Sequence, residues 1–438
     1  MVKILSGAGT PLQNKHHRIH ATKPLAPQSA CTSGPFAQLR TLKMRRNLAL
    51  TALLVTTCAS KDVPLWMQAI LDSRPHLKTV KGAHVHRSQY PEDPALKAAG
   101  ALLAKPPVRN PVVVALTTTP TRVAAVEPAV RSLLNQSQPA LIVVSIPDVY
   151  NNRRSHWNGK RIEPPAWLAQ LDAAARSTKG PCAPCVVVAN PAHDYGPATK
   201  LVGAVEALRS DPALLAKAGD DREKAIVVAA DDDHEWEPFA LATLLHVGFS
   251  SSKPVGYDAT KTVWTYYSYF YPRGRPIKDS VCVAQAGDML AAPLSLFGEL
   301  ERSAAGVLYS SLLRHRRDSL PRRWGRELLP GGRLPSCFFV DDLFFAAYAA
   351  YSRATVYAHP WRRWLFREAK RRKRTGEPAF KPCAQGGCSP KTMQLRYPDG
   401  LAHGAVRDRH STNCRSELEA LGWWTRGGVG DPCLLGDF

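Results

Sequence analysis

Three consecutive carboxylates, Asp231-Asp232-Asp233, stand directly behind the apolar run Ala225-Ile226-Val227-Val228-Ala229-Ala230. Carboxylates packed this closely repel one another unless a cation lies between them. Hard oxygen ligands of this kind suit Mg²⁺ or Mn²⁺, with substrate phosphates completing the shell. The simpler alternative is an acidic turn capping a helix that starts near Trp236, because Asp is favoured at helix N-termini. One Asp would be explained that way, three less readily. A second pair, Asp341-Asp342, follows Phe338-Phe339-Val340 and precedes the apolar stretch Leu343 to Tyr351. A carboxylate at such a strand-to-helix junction is suited to general-base work, and its alternative is again a helix cap.

Two further segments carry polar chemistry. Thr117-Thr118-Thr119 and Arg122 follow Pro111-Val112-Val113-Val114-Ala115-Leu116, where backbone and hydroxyls could hold a nucleotide. In Asp194-Tyr195-Gly196-Pro197-Ala198-Thr199-Lys200-Leu201, a Gly/Pro turn places Thr and Lys at a helix N-terminus. That is a natural anion site. For Lys200 the alternative is a solvated lysine in the first helical turn.

The elements that must position these residues read as alternating strand and helix. Strands are expected at 111–116, 141–146, 185–189 and 225–230. Val123, Val126, Val130, Leu133 and Leu134 have helical spacing, and a second helix runs from about Thr199 to Leu208. This spacing means βαβ units and a mainly parallel sheet, with ligands at the carboxyl ends of its strands. Beyond residue 250 the chain is aromatic and β-prone at 263–271, with a short strand at 281–285. There is no internal repeat.

The composition, 45% hydrophobic and 21% charged over 438 residues, is globular with ample core. The net charge of +22 is concentrated. Residues 1–61 hold no Asp or Glu, and basic clusters lie at 314–326 and 362–374. Such runs are most often solvated, and more specifically attract phosphate, acidic glycan or an anionic membrane. Lys43-Met44-Arg45-Arg46, then Leu48 to Val55, then Cys58-Ala59-Ser60 have the parts of a secretory signal. The apolar core is short for a span, yet it could act as a signal anchor, and the region also permits a transit peptide. Eight later cysteines, an even number, fit disulfides in an oxidising lumen. Cys182-Ala183-Pro184-Cys185 reads as a tight local disulfide or two free thiols. The expected organisation is a targeting region at 1–61, a stem at 62–108, a catalytic domain at 109–360 and a basic, cysteine-bearing extension at 361–438.

In that order the Thr-rich turn, the "DYGPATKL" segment, the Asp-x-Asp signature and the late acidic pair resemble the nucleotide-sugar glycosyltransferases of the GT-A fold, glycosyltransferase-2-like, over residues 110–360. The resemblance implies an α/β domain with a mainly parallel, Rossmann-like sheet flanked by helices. It implies Asp231 and Asp233 as ligands of Mn²⁺ or Mg²⁺ bridging the donor diphosphate, with His359 as the candidate third ligand. Thr117, Thr118, Thr119, Arg122, Asp194, Gly196, Lys200 and Asp232 would then face the donor, a UDP-sugar. Asp342 would be the base of an inverting transfer to a glycan, protein or lipid hydroxyl, with Asp341 beside it. Location in the Golgi or endoplasmic reticulum lumen, or in a chloroplast, would follow, with membrane association through the 47–60 segment and no nucleic-acid partner. Two other classes compete. A haloacid-dehalogenase-like phosphohydrolase also uses Asp-x-Asp, but opens its domain with the nucleophilic Asp. A non-enzymatic binder of acidic glycan or nucleic acid fits the charge and leaves the aspartate triplet without a role.

Overall fold

The β-branched runs form buried strands, as continuous apolar segments of a parallel sheet should. The protein is represented by a computed structural model that describes residues 84–87, 108–150, 159–219, 221–249, 258–271, 281–300, 304, 336–359, 361–377, 391–396, 405–420 and 434–435. All of them belong to one unit spanning Cys58–Phe438. In chain order the strands are β1 (His84–Arg87), β2 (Val112–Thr117), β3 (Leu141–Ser145), β4 (Cys185–Ala189), β5 (Ile226–Ala229), β6 (His234–Trp236) and β7 (Thr262–Thr265). They continue as β8 (Ser268–Tyr271), β9 (Val281–Ala284), β10 (Leu290–Pro293), β11 (Thr355–Ala358), β12 (Lys391–Arg396) and β13 (Leu434–Leu435). The helices are α1 (Glu127–Leu134), α2 (Ala166–Ser177), α3 (Thr199–Ser210), α4 (Pro212–Ala218), α5 (Ala240–Phe249), α6 (Asp341–Tyr351), α7 (Trp361–Thr375) and α8 (Ala405–Ala420).

The main sheet has the order β13-β11-β7-β10-β5-β2-β3-β4. Only β10 is reversed, running antiparallel to both β5 and β7, while every other neighbouring pair is parallel. The chain steps outwards from β2 through β3 to β4, then returns through α3 and α4 to lay β5 on the other side of β2. Such a reversal of strand order opens a crevice at the carboxyl ends of the two strands involved. Thr117 ends one of them and Asp231 follows the other. Val113, Val114, Ile142, Val143, Val187 and Val228 form the inner core between the helices. Each buried Val or Ile there contributes about 1.5–3 kcal/mol.

Several expectations are corrected. No helix begins at Trp236: His234–Trp236 is strand β6, with His234 and Trp236 buried in a two-residue period, and α5 starts only at Ala240. β6 pairs with β12, which pairs with β1, in a separate three-stranded sheet. The expected stem and C-terminal extension therefore both supply strands, and β13 of the extension joins the main sheet beside β11. Phe338-Phe339-Val340 does not end a strand. Ser336–Phe339 is a 3-10 turn, because the N–H groups of Ser336 and Cys337 donate to the Glu417 carboxylate, at 2.9 and 3.1 Å, instead of to a neighbouring strand.

Disulfides join Cys182 to Cys185 and Cys337 to Cys414, the latter tying this turn to α8. No described helix is long and apolar enough to cross a membrane. The segment at 1–61 and the basic cluster at 314–326 lie outside the described residues.

Candidate metal centre

Ala230 continues β5 by donating its N–H to Ala115 of β2 at 3.0 Å, and the three aspartates then turn the chain into β6. This short turn separates their side chains. One carboxylate oxygen each from Asp231 and Asp233 and a ring nitrogen of His234 all lie within 4.8 Å of one another. His234 Nδ1 is 2.7 Å from Asp233 Oδ1, and its ring stacks on Trp236. Asp232 goes the other way, into the interior, where Arg122 Nη1 donates to its Oδ1 at 3.1 Å.

Lys200 reaches the group because the segment before it closes on itself. Gly196 has φ +67°, a left-handed conformation that glycine adopts without strain. The Asp194 carboxylate accepts from the Gly196 N–H at 2.9 Å and from the Thr199 hydroxyl at 3.3 Å, and Thr199 Oγ1 accepts from the Tyr195 N–H at 2.8 Å. This loop of hydrogen bonds sets the first turn of α3. The buried Lys200 then places Nζ 2.5 Å from Asp231 Oδ1 and 2.8 Å from Asp341 Oδ2. Burial alone would lower the Lys200 pKa, but the charges of Asp231 and Asp341 outweigh it and raise it, so the ammonium stays charged.

The neighbouring aspartates titrate in opposite directions. Burial pushes Asp231 up, but Lys200, with His234 and Arg122, holds its carboxyl well below the usual range. Burial also pushes Asp232 up; there Arg122 only partly compensates, Asp233 and Asp231 add repulsion, and the pKa ends raised.

Two later segments complete the wall. Asp341 and Asp342 open α6, and they divide the work. Asp341 meets Lys200, whereas the buried Asp342 accepts the Ala286 N–H through Oδ1 at 2.9 Å. That bond holds the 3-10 turn Ala286–Asp288 against the triplet. A Cβ on Gly287 would collide with the Asp231 carboxylate, which would have to move to admit it. Met289, which follows this turn, has φ +59°, a sparsely populated conformation for a residue with a side chain.

Asp231, Asp233, Lys200 and Asp341 thus lie together, while other candidates take supporting positions. Thr117 Oγ1 donates to the Ser145 carbonyl, Thr118 lies buried with its carbonyl accepting from Tyr150, and Thr119 Oγ1 pairs with Thr121 Oγ1. Arg122 and Asp232 bind each other, and Asp194 and Gly196 shape the turn before Lys200. His359 is not in the cluster. It directly follows β11, three strand spacings from β5, or roughly 14 Å. There its Nδ1 accepts from the Trp361 N–H at 3.0 Å, its ring packs on Tyr266, and burial lowers its pKa to about 3 against a hydrogen bond with the Thr243 backbone. The histidine beside the aspartates is His234. Its signal in the sequence was simple adjacency to the triplet in a segment of alternating burial. The Gly287 turn had no such signal, because its place depends on β10 running backwards beside β5.

The arrangement offers two carboxylates and an imidazole to one cation, an ammonium beside them, and a second carboxylate on that ammonium. Comparison with protein-family models and with curated proteins gives no match to this chain.

Proposed function

We propose that this protein transfers a sugar from a nucleoside-diphosphate donor, with a UDP-sugar the first to test, to a hydroxyl acceptor. The observation that carries the reading is the convergence of Asp231, Asp233 and His234 within 4.8 Å at the crevice between β2 and β5. The mainly parallel sheet with its acidic turn at the carboxyl edge supports the resemblance to GT-A glycosyltransferases. Mixed carboxylate and imidazole donors suit Mn²⁺ better than Mg²⁺, which prefers oxygen alone. A divalent ion held there would supply Lewis-acid stabilisation to the departing diphosphate.

The residues of the chain do the rest. Lys200 keeps its proton beside Asp231 and presents fixed positive charge to the charge that develops on the leaving phosphate. Asp341, 13% exposed and less buried than Asp342, is the carboxylate assigned to take the proton of the attacking hydroxyl. A base in this role gives inversion at the anomeric carbon. Asp342 holds the Ala286–Asp288 turn and so positions Asp231 through Gly287. The disulfides fit an oxidising, secretory compartment. The phosphohydrolase reading is disfavoured, because the central strand β2 ends in Thr117-Thr118-Thr119 where a nucleophilic Asp would stand.

Calorimetry of UDP with Mn²⁺ and with EDTA tests this reading. The expected result is metal-dependent binding that Asp233→Asn or His234→Ala abolishes without loss of fold. Equal affinity in EDTA and Mn²⁺ would overturn it.

A further inference from the structure

Helix α7 begins just beyond His359, on the same carboxyl edge of the sheet as the aspartate turn, and is anchored there by Trp361 against Phe239, ring centroids 5.9 Å apart. Its apolar side, Trp361 and Leu365, is buried. On its outer side the two glutamates nearby are already paired. Glu368 accepts from Arg371 at 2.6 Å and from Arg372 at 3.0 Å, and Glu377 pairs with Arg371 at 2.6 Å. Arg367, Lys370, Lys373 and Arg374 are exposed and have no acidic partner among the described residues. Positions 366, 370 and 373 and positions 367, 370 and 374 repeat at helical spacing, so all fall on one face. Phe366, 47% exposed, lies among these cations.

We propose that this face of α7 docks an anionic polysaccharide, one bearing carboxylate or sulfate groups. Four cations without an acidic partner among the described residues attract a chain of negative charges. The exposed ring of Phe366 offers the apolar platform on which the flat face of a sugar can rest. A bilayer would require a broader apolar surface to insert, and Trp361 and Leu365 of α7 are buried in the protein. The choice of a sugar chain over other polyanions rests on the sugar-transfer reading, in which this face would hold a distant part of a long acceptor chain.

The test uses the full chain and measures binding to heparin oligosaccharides and polygalacturonate, with neutral dextran, phosphatidylserine vesicles and poly(U) RNA as comparators. The variant Arg367→Ser/Lys370→Ser/Lys373→Ser/Arg374→Ser changes exposed positions only. It should bind the acidic polysaccharides about tenfold or more weakly than the wild type, four screened contacts each being worth a few-fold. Phe366→Ala should weaken binding a few-fold. Wild-type binding should also weaken with added salt, a measurement that needs no variant. Equal binding by variant and wild type, salt-independent binding, equal binding to dextran, or stronger binding to vesicles or RNA would each overturn the proposal. Mn²⁺-dependent UDP binding, followed in parallel, separates the two readings. Its absence with polysaccharide docking retained removes the transfer reading alone, whereas its presence without docking removes this inference alone.

Discussion

Asp231 and Asp232 are adjacent in the chain, yet the molecule treats their surroundings as two different regions. On the Asp231 side, the carboxylate is 36% exposed, bonded to the buried Lys200, backed by Gly287 and linked through the ammonium to Asp341. On the Asp232 side, the carboxylate is 6% exposed and packed on Arg122 beneath the strand end. The first arrangement keeps a negative charge accessible and ionised. The second ties the turn to β2 and its following loop. A run of identical residues thus holds one ligand-type aspartate on each side of a structural one, and the alternation of side-chain direction decides which is which.

The largest expected effect tests the open side directly. Asp341→Asn should lower kcat by about 10²–10⁴-fold while UDP affinity stays nearly constant, since removing a positioned base acts on the chemical step. Asp342→Asn should instead weaken Mn²⁺ and UDP binding, through loosening of the Ala286–Asp288 turn. If Asp342→Asn reproduced the pure kcat loss and Asp341→Asn did not, the division of labour within the pair would be reversed.

Next in size is the loss of the shared cation. Lys200→Met leaves Asp231 and Asp341 without their ammonium, and stranding buried carboxylates typically costs about 3–5 kcal/mol. The partial exposure of Asp231 puts this change near about 3 kcal/mol, readable as a lower urea midpoint. Arg122→Met should cost less, because Asp232, with its raised pKa, can take up a proton instead. A larger loss from Arg122→Met would break the contrast.

Gly287→Ala should be smaller, about 1–3 kcal/mol, as the added methyl forces the Asp231 carboxylate or its backing turn to move. Metal affinity should fall with it. Unchanged Mn²⁺ binding in a folded Gly287→Ala protein would remove Asp231 from the ligand set.

The smallest effect is in the sign of the pH dependence. Asp231 has a lowered pKa, so its contribution is present above the ordinary carboxylate pKa and is lost as pH falls below it. Asp232 has a raised pKa, so the folded state holds its proton more tightly and stability falls as pH rises through the window above the ordinary value. Asp232→Asn should flatten that fall, and Asp231→Asn should reduce the loss in acid. Denaturant melts from pH 3 to 7 would show whether the two variants change the slope in opposite directions.

Local physics in the sequence was sufficient for much of this. The runs at 112–117, 141–145, 185–189 and 226–229 are strands because β-branched residues without charge can only be buried, and the acidic and Lys200 motifs fall at the ends of strands or the starts of helices. The helices at 166–177 and 212–218 and the short strands at 290–293 and 355–358 had weaker local signals and take their state from the partners they pack on. Long-range pairing made the remaining decisions. Which strand lies beside which, and that β10 runs backwards, set Gly287 against Asp231. The turn from β5 into β6 brought His234 beside Asp231 and Asp233, and three intervening strand spacings kept His359 away from them. The choice between Asp341 and Asp342 came from the direction in which each leaves the first turn of α6, one towards Lys200 and one towards the Ala286 N–H. Residue type states what a side chain can do, but only the packed chain fixes what it faces.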